Sequence, residues 1–260
     1  MMYLKTEEEI ELIRESSLLV GKTLAEVAKL IEPGVTTLRL DQMAEEFIKD
    51  NGGVPGFKGL YDCPSTLLTS VNSAVVHGLP SKVALKDGDI VSVDCGVLMN
   101  EFYGDVAYTF EVGEVADDIK KLLSVTKLCL QKGIEAAVAG NRVGDIGYAV
   151  QTVAEDNGYG VVRELVGHGL GKKLHEEPQV PNYGKRGQGA KLKEGLVIAI
   201  EPMINMGKRH VKQGEDGWTI YAKDELPSAH FEHDVVVRKG KAEVLSTHEL
   251  IEEVLKNKIK

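Results

Sequence analysis

Cysteine is scarce in this chain: Cys63, Cys95 and Cys129 are three in 260 residues, far apart and without a CxxC pair. That excludes a disulfide framework and a thiolate zinc site, and it fits free thiols in a reducing cytosol, where the chain is expected to work. No apolar run approaches bilayer-spanning length. The opening stretch MMYLKTEEEIELIRE is acidic and helical, without the apolar core of a signal peptide, so no membrane contact is expected. Basic residues are outnumbered, 31 against 40 acidic, and the net charge of −9 argues against general nucleic-acid binding. Missing too are HExxH, GxSxG and GxxxxGK[ST], and with them the zincin, serine-hydrolase and P-loop readings. The GHGLG around His168 does not lead from a strand into a helix, as a dinucleotide site requires. The basic end KNKIK, 256–260, reads as a solvated helix end.

What is present suits a globular α+β protein: 43% apolar residues are ample for a core, and 27% charge is ordinary. Ile10, Ile13, Ser17, Val20, Leu24, Val27 and Ile31 recur at spacings of three and four, which predicts a helix over 6–31. Thr6 with Glu9 gives it a capping box, and Pro33-Gly34 stops it. Further helices are predicted near 38–48, 116–138, 143–156 and 248–257. Residues 53–69, rich in turn formers, hold Phe57, Tyr61 and Cys63, and read either as a surface loop or as the wall of an apolar pocket. Segment 70–78 reads as a short strand ending at His77. Segment 166–180 carries too many glycines and prolines for regular structure, whereas 194–204 reads as a buried strand and 231–246 as a hairpin turning at Arg238 to Lys241.

The stretch VSVDCGVLMNEFYGD, 91–105, predicts a hairpin turning at Met99-Asn100 that makes Asp94 and Asp105 direct cross-strand partners, with Cβ atoms roughly 4.5–5.5 Å apart. On their own, two such acids are as readily solvated as functional. An internal repeat changes that balance. LKDGDIVSVD (85–94) and LKEGLVIAIE (192–201) match at a constant offset of 107, so Asp94 and Glu201 fall at one point on equivalent strands. A matching histidine element precedes each copy, VVHGL around His77 and VGHGL around His168. Two related halves across a central site are implied, and the second should supply one more acid, for which Glu232 is the candidate. Asp94, Asp105, His168, Glu201 and Glu232 are an oxygen-rich set suited to two divalent ions and poorly suited to a structural zinc. Without a cation, several of these carboxylates would have to protonate. A pair of ions can lower the pKa of a shared water for attack on a carbonyl, which makes hydrolysis of an amide or ester the implied chemistry.

The ordered set VVHGLP, SVDCG, GD, GHGLGKKLHEEPQVPNY, IEPM, DGWT and FEHDVVV resembles the type I methionine aminopeptidases, and the resemblance covers nearly the whole chain. It implies a pita-bread fold: one catalytic domain, 1–260, whose pseudo-symmetric halves, roughly 1–140 and 141–260, surround a curved antiparallel sheet covered by helices. It implies a metal-dependent aminopeptidase that removes the N-terminal methionine of nascent proteins and peptides when the next residue is small. Two divalent ions are implied, drawn from Co, Mn, Fe, Zn and Ni. Asp94 would chelate one ion, Asp105 and Glu232 would bridge, and His168 with Glu201 would complete the other. Glu201 would also shuttle the proton to the leaving amine. His175 would hydrogen-bond the scissile carbonyl and His77 the scissile amide or the peptide beyond it, while Trp218 would wall the methionine pocket. A monomer, in transient contact with the ribosome, is expected.

The chain departs from the family pattern at 56–64. A GY-x-GYP-like stretch is usual there, with a cysteine a few positions on; here GFKGLYDCP is longer by about three residues and is followed by Leu67-Leu68. Phe57, Tyr61, Cys63 and Leu68 are the replacement candidates for the pocket. Three rival readings use the same fold. Aminopeptidases that cut before proline, and prolidases, usually carry an extra N-terminal domain. Type II methionine aminopeptidases need a long insertion for which the interval from Glu201 to Glu232 has no room. A non-catalytic binding module would have lost metal ligands, and all five are present.

Overall fold

The computed structural model describes residues 2–258; Ile259 and Lys260 of the basic end lie outside the described residues. Helix α1 (Glu7–Leu30) begins on Thr6, whose hydroxyl accepts from the Glu9 amide at 3.3 Å while the Glu9 carboxylate accepts from the Thr6 amide at 3.0 Å. This reciprocal pair is the capping box read from the sequence. After α2 (Thr37–Asp50) come β1 (Val54–Pro55), one 3₁₀ turn at Leu60–Asp62, β2 (Leu67–Val71), β3 (Ala74–Val76), β4 (Ile90–Met99) and β5 (Phe102–Glu111). Two helices follow, α3 (Asp117–Ala136) and α4 (Val143–Asp156), and then β6 (Gly160–Val161), β7 (Gly167–Gly169), β8 (Glu176–Val180), β9 (Val197–Ile200) and β10 (Met203–Asn205). The last third holds β11 (Val211–Gln213), β12 (Ile220–Ala222), β13 (Ser228–His230), β14 (His233–Val236), β15 (Glu243–Val244) and α5 (Glu249–Lys258). Buried faces of α1 through α4 and of α5 close the main core over the strands, through residues such as Leu24, Leu40, Leu122, Ile146 and Ile251. No described helix is long and apolar enough to cross a membrane.

The repeat extends beyond the matched strands. β4 lies between β2 and β5, and β9 lies between β7 and β14, with every pairing antiparallel. α2 and α4 are both 14 residues long. The isolated bridges Thr36 with Ala84 and Arg142 with Lys191 occupy matching places, as do the hydrogen bonds from the Gly34 amide to Leu85 and from the Gly140 amide to Leu192. Because α3 and α4 are thus the counterparts of α1 and α2, we propose that the halves divide between β5 and α3, ahead of residue 140. Main-chain and side-chain bonds stitch the halves together: the Glu232 amide donates to the Ala107 carbonyl at 3.0 Å, and the Asp105 amide to Asp234 at 2.8 Å.

The central hairpin turns one residue later than expected. Met99 pairs with Phe102, leaving Asn100 and Glu101 at the turn with φ of 52° and 67°. Positive φ at both central residues is what a two-residue turn matched to strand twist requires, and asparagine accepts it readily. Asp94 therefore faces Ala107, and Asp105 faces Gly96, so the two acids are diagonal rather than directly opposed. A partner shift of two residues preserves the face, so both acids still point the same way. Three other expectations also change. Segment 166–180 contains two regular strands, β7 and β8, and 194–204 is interrupted after Ile200 instead of running as one strand. Segment 70–78 likewise splits at Asn72-Ser73, and β3 leaves to pair with β12.

Gly104 shows how tightly α1 lies on this hairpin: a Cβ there would overlap the backbone of Ser16 and Ser17. Overpacking of a fixed backbone contact costs about 1–3 kcal/mol. Gly104→Ala is accordingly expected to lower the thermal midpoint by several degrees, read by calorimetry; an unchanged midpoint would remove this contact from the scaffold.

Candidate active site

Five polar side chains converge from both halves. Asp94 comes from the middle of β4, Asp105 from β5 and His168 from the centre of β7. Glu201 and Glu232 sit where their ladder is interrupted. Ile200 pairs with His233 on one side of the interruption and Met203 with His230 on the other, in the same register, so Glu201 lies opposite Glu232. Pro202, which has no amide hydrogen to give the ladder, follows Glu201 directly. The glycines flanking His168 serve close packing: a Cβ on Gly167 or Gly169 would overlap the backbone of Ala199 or Glu177. Glycine in that segment therefore marks strands pressed together, not an irregular loop.

The electrostatics are one-sided. Asp105, His168 and Glu232 are buried, and each offers a ligand atom within 4.8 Å of the others. His168 Nε2 lies 3.7 Å from Asp105 and 3.6 Å from Glu201, while its Nδ1 meets the Gly169 carbonyl at 2.9 Å. Nδ1 therefore donates, and Nε2 turns a lone pair toward the carboxylates. Burial pushes the Asp94 carboxyl up to about 7 and raises Asp105, Glu201 and Glu232 well above the ordinary range, with repulsion from neighbouring carboxylates adding to the shift of the latter three. Burial also holds the imidazole of His168 down at about 4 and lowers His77 and His175, so no histidine here offsets the negative charge at neutral pH. No lysine or arginine lines the cavity among the described residues. One oxygen each of Asp94 and Asp105 is buried without a hydrogen-bond partner. Oxygen donors, an imidazole lone pair and orphaned buried carboxylate oxygens together fit a divalent cation, and the donor set favours a hard or borderline transition ion.

The cavity, about 130 Å³, also reaches an apolar end. Cavities near 150 Å³ accept a ring the size of benzene, so a short unbranched side chain fits this one. Phe57, Cys63 and Leu68 are its buried wall, with Leu60, Leu174 and the half-buried Trp218. Tyr61 is exposed at the mouth with φ of 51°, its ring 5.8 Å from that of His175, which in turn lies 4.4 Å edge-on to His168. His77 lines the same cavity and also has a positive φ, 60°. A non-glycine residue in that conformation is held by its surroundings; here Gly78, which follows it, donates to Ser70 and accepts from the Thr69 amide. All twelve residues singled out in the sequence line this one cavity.

Several other residues belong to the site without a signal of their own in the sequence. Leu60 and Leu174 complete the apolar wall. Asp234 accepts from Ser17 Oγ at 2.6 Å and from the Asp105 amide, tying α1 to the strand that carries Asp105. His230 lies behind Glu201, its Nε2 3.8 Å from the Glu201 carboxylate. Each lies two residues from Glu232, His230 just ahead of the FEHDVVV motif and Asp234 within it, and the ladder register is the signal that finds them.

Comparison with known proteins agrees with this geometry. A family model described as metallopeptidase family M24 matches residues 11–239. The chain is 48% identical over 246 residues to a methionine aminopeptidase of Clostridium perfringens, covering 95% of this chain and 99% of the relative. Its structure superposes with a TM-score of 0.93 on the crystal structure of methionine aminopeptidase from Thermotoga maritima, at 42% identity, covering 95% of this chain and all of that one. A Xaa-Pro dipeptidase from Bacillus anthracis, at 22% identity and a TM-score of 0.76, shares the fold, and this chain covers 62% of its length. The shared architecture is the pita-bread fold implied by the motifs. With that architecture, its cation-demanding site and these relatives, the chain belongs to metallopeptidase family M24.

Proposed function

We propose that this protein hydrolyses the N-terminal methionine from peptides and nascent proteins whose second residue is small, using divalent metal held by Asp94, Asp105, His168, Glu201 and Glu232. One observation carries the reading: an apolar slot for a short side chain opens directly onto a buried cluster of carboxylates within the same cavity. The slot takes the thioether side chain, which fills irregular apolar space well. The carboxylate end attracts the free α-amine, so the scissile carbonyl lies between the two. When bound, two ions would supply an activated water and polarise that carbonyl. Asp94 would serve one ion, Asp105 and Glu232 both, and His168 with Glu201 the other.

The remaining steps belong to the protein's own groups. Glu201, whose carboxyl is raised by burial and by Asp94, takes a proton from the attacking water and passes it to the leaving amine. His175 at the mouth, a neutral donor, hydrogen-bonds the carbonyl oxygen as negative charge develops on it. His77, which lines the same cavity, contacts the scissile amide. Tyr61, stacked near His175, borders the position of the second residue and limits its size. The ribosome-associated nascent chain is the natural source of such ends, and a monomer suffices because both halves of the site come from one chain.

Metal-loaded protein is expected to release methionine from Met-Ala-Ser and to leave Met-Leu-Ser and Xaa-Pro peptides intact, as followed by chromatography; a preference for Xaa-Pro would transfer the protein to the other branch of its fold. A chelator should abolish cleavage, with Mn²⁺ or Co²⁺ restoring it, and cleavage that survives chelation sinks the metal mechanism. Glu201→Gln should reduce kcat by about 10² to 10⁴-fold, the worth of a positioned proton carrier, so a near-normal rate would remove Glu201 from the chemistry.

The raised carboxyls also give a pH signature. Asp94 is held up at about 7 in the folded metal-free protein, against an ordinary value of 3.8, so the folded state binds more protons than the unfolded chain between those pH values. Stability contributed by this group is then lost as pH rises from about 4 to about 7. In scanning calorimetry of chelated protein the midpoint should fall as pH is raised from 5.5 to 7.5, while the increase on adding Mn²⁺ should grow over the same range. A metal-induced increase that is independent of pH would contradict the cluster's charge state.

A further inference from the structure

The ladder that carries Glu201 and Glu232 holds a further group that the reaction scheme does not use. The offset that superposes Asp94 on Glu201 places Gly96 on Met203, and the cross-strand partners of those two residues are Asp105 and His230. His230 thus stands in the second half where Asp105 stands in the first. Its exposure is 1%, and neither Nδ1 nor Nε2 has a hydrogen-bond partner. Nε2 points at Glu201, 3.8 Å from Oε2, while the other oxygen, Oε1, faces His168 at 3.6 Å. The backbone of His230 is fixed independently of the ring. Its amide donates to Thr109 Oγ1 at 2.9 Å, its carbonyl accepts from the same hydroxyl at 2.7 Å, and Thr109 is anchored by Ser92 at 2.8 Å. A buried hydroxyl pair from the first half therefore delivers the imidazole to the back of Glu201.

We infer that His230 is a positioning residue for Glu201: its Nε2–H donates to Oε2 and so leaves Oε1 as the oxygen presented to the metal and to the transferred proton. The present 3.8 Å is longer than a hydrogen bond of about 2.9–3.0 Å, and a rotation of the terminal carboxylate torsion, a soft sp³–sp² torsion, closes it. The chemistry requires such a partner. A carboxylate with one oxygen committed to a neutral donor cannot swing to offer both oxygens, so its ligand geometry and its route for the proton are single-valued. The same hydrogen bond gives the imidazole its tautomer, with the hydrogen on Nε2. This inference rests on the aminopeptidase reading for the proton role and on the metal reading for the ligand role.

The test compares His230→Leu and His230→Met, which remove the donor, with His230→Gln, which keeps one, in the full chain. Two readouts are taken: calorimetric titration of the metal-free protein with Mn²⁺, and steady-state cleavage of Met-Ala-Ser. Partners of metal-binding side chains are typically worth 10–100-fold, so the apolar variants should lose about that much in Mn²⁺ affinity and kcat, with KM within about twofold of wild type, and Gln should recover most of both. In a Glu201→Gln background His230→Leu should add no further loss, as coupled groups require. Wild-type affinity and kcat in either folded apolar variant overturn the inference. So do equal losses in Leu, Met and Gln, which would assign the ring to packing or to direct ligation, and so does an undiminished loss in the Glu201→Gln background. Should wild-type protein bind Mn²⁺ and yet leave Met-Ala-Ser intact, the aminopeptidase reading fails, while the titrations still decide for or against His230.

Discussion

Four carboxylates and an imidazole lone pair face one another inside a cavity that contains no cationic side chain among the described residues. Such a cluster is repulsive in itself, and burial makes the repulsion worse by removing the water that would screen it. The rest of the architecture can be read as the apparatus that keeps these groups together. The hairpin of β4 and β5 supplies two acids on one face; the interrupted ladder supplies two more; β7 supplies the imidazole. None of these strands alone would hold its acid against the others. Asp234 bridges the Asp105 amide and Ser17, Thr109 grips both backbone groups of His230, and the Glu232 amide bonds across to Ala107. Each tie joins one half to the other, so the seam between the repeats and the site are the same place.

The two halves use that seam differently. Both have the same three-strand core and the same pair of helices, yet the functional side chains are not symmetric about it. In the first half the second acid, Asp105, is diagonal to Asp94; in the second, Glu232 is directly opposite Glu201 and corresponds to Ala107. A pair of ions held by symmetric ligands would see equivalent surroundings. On the proposed two-ion reading one side would have carboxylates alone and the other would add His168, with His230 behind it, so the two positions would differ in donor softness and net charge. Asymmetry of this kind allows one position to be favoured for binding and the other to be tuned for chemistry.

Much of this was legible in the residues, and the failures have identifiable causes. The helices were readable because apolar spacing and capping act locally, as at Thr6 and Glu9. The repeat was readable because glycine and β-branched residues recur at fixed places, and it pointed to Glu201 and Glu232. The register of the central hairpin does not follow from the spacing of its acids, because the turn is set by the residues that take positive φ, namely Asn100 and Glu101. The strands in 166–180 were hidden because glycine has two meanings: a turn former in isolation, and a permit for close backbone approach when strands press together, as at Gly167 and Gly169. His230 and Asp234 were hidden because their roles depend on cross-strand pairing, which a single strand's sequence does not express.

The apolar end obeys a different constraint. The longer stretch at 56–64 turns on two consecutive residues with positive φ, Tyr61 and Asp62, and its only regular structure is one 3₁₀ turn. Such a segment is fixed by what it packs against: Phe57 lies on Gly96, where any Cβ would overlap its ring. Gly96 is also the cross-strand partner of Asp105. The residue that seats the pocket wall and the residue that faces a metal-binding acid are therefore one position, and the absence of a side chain there serves both. A shift of this apolar wall cannot occur without moving β4, which carries Asp94 and pairs with the strand that carries Asp105, so the shape of the apolar end is coupled to the placement of the carboxylates.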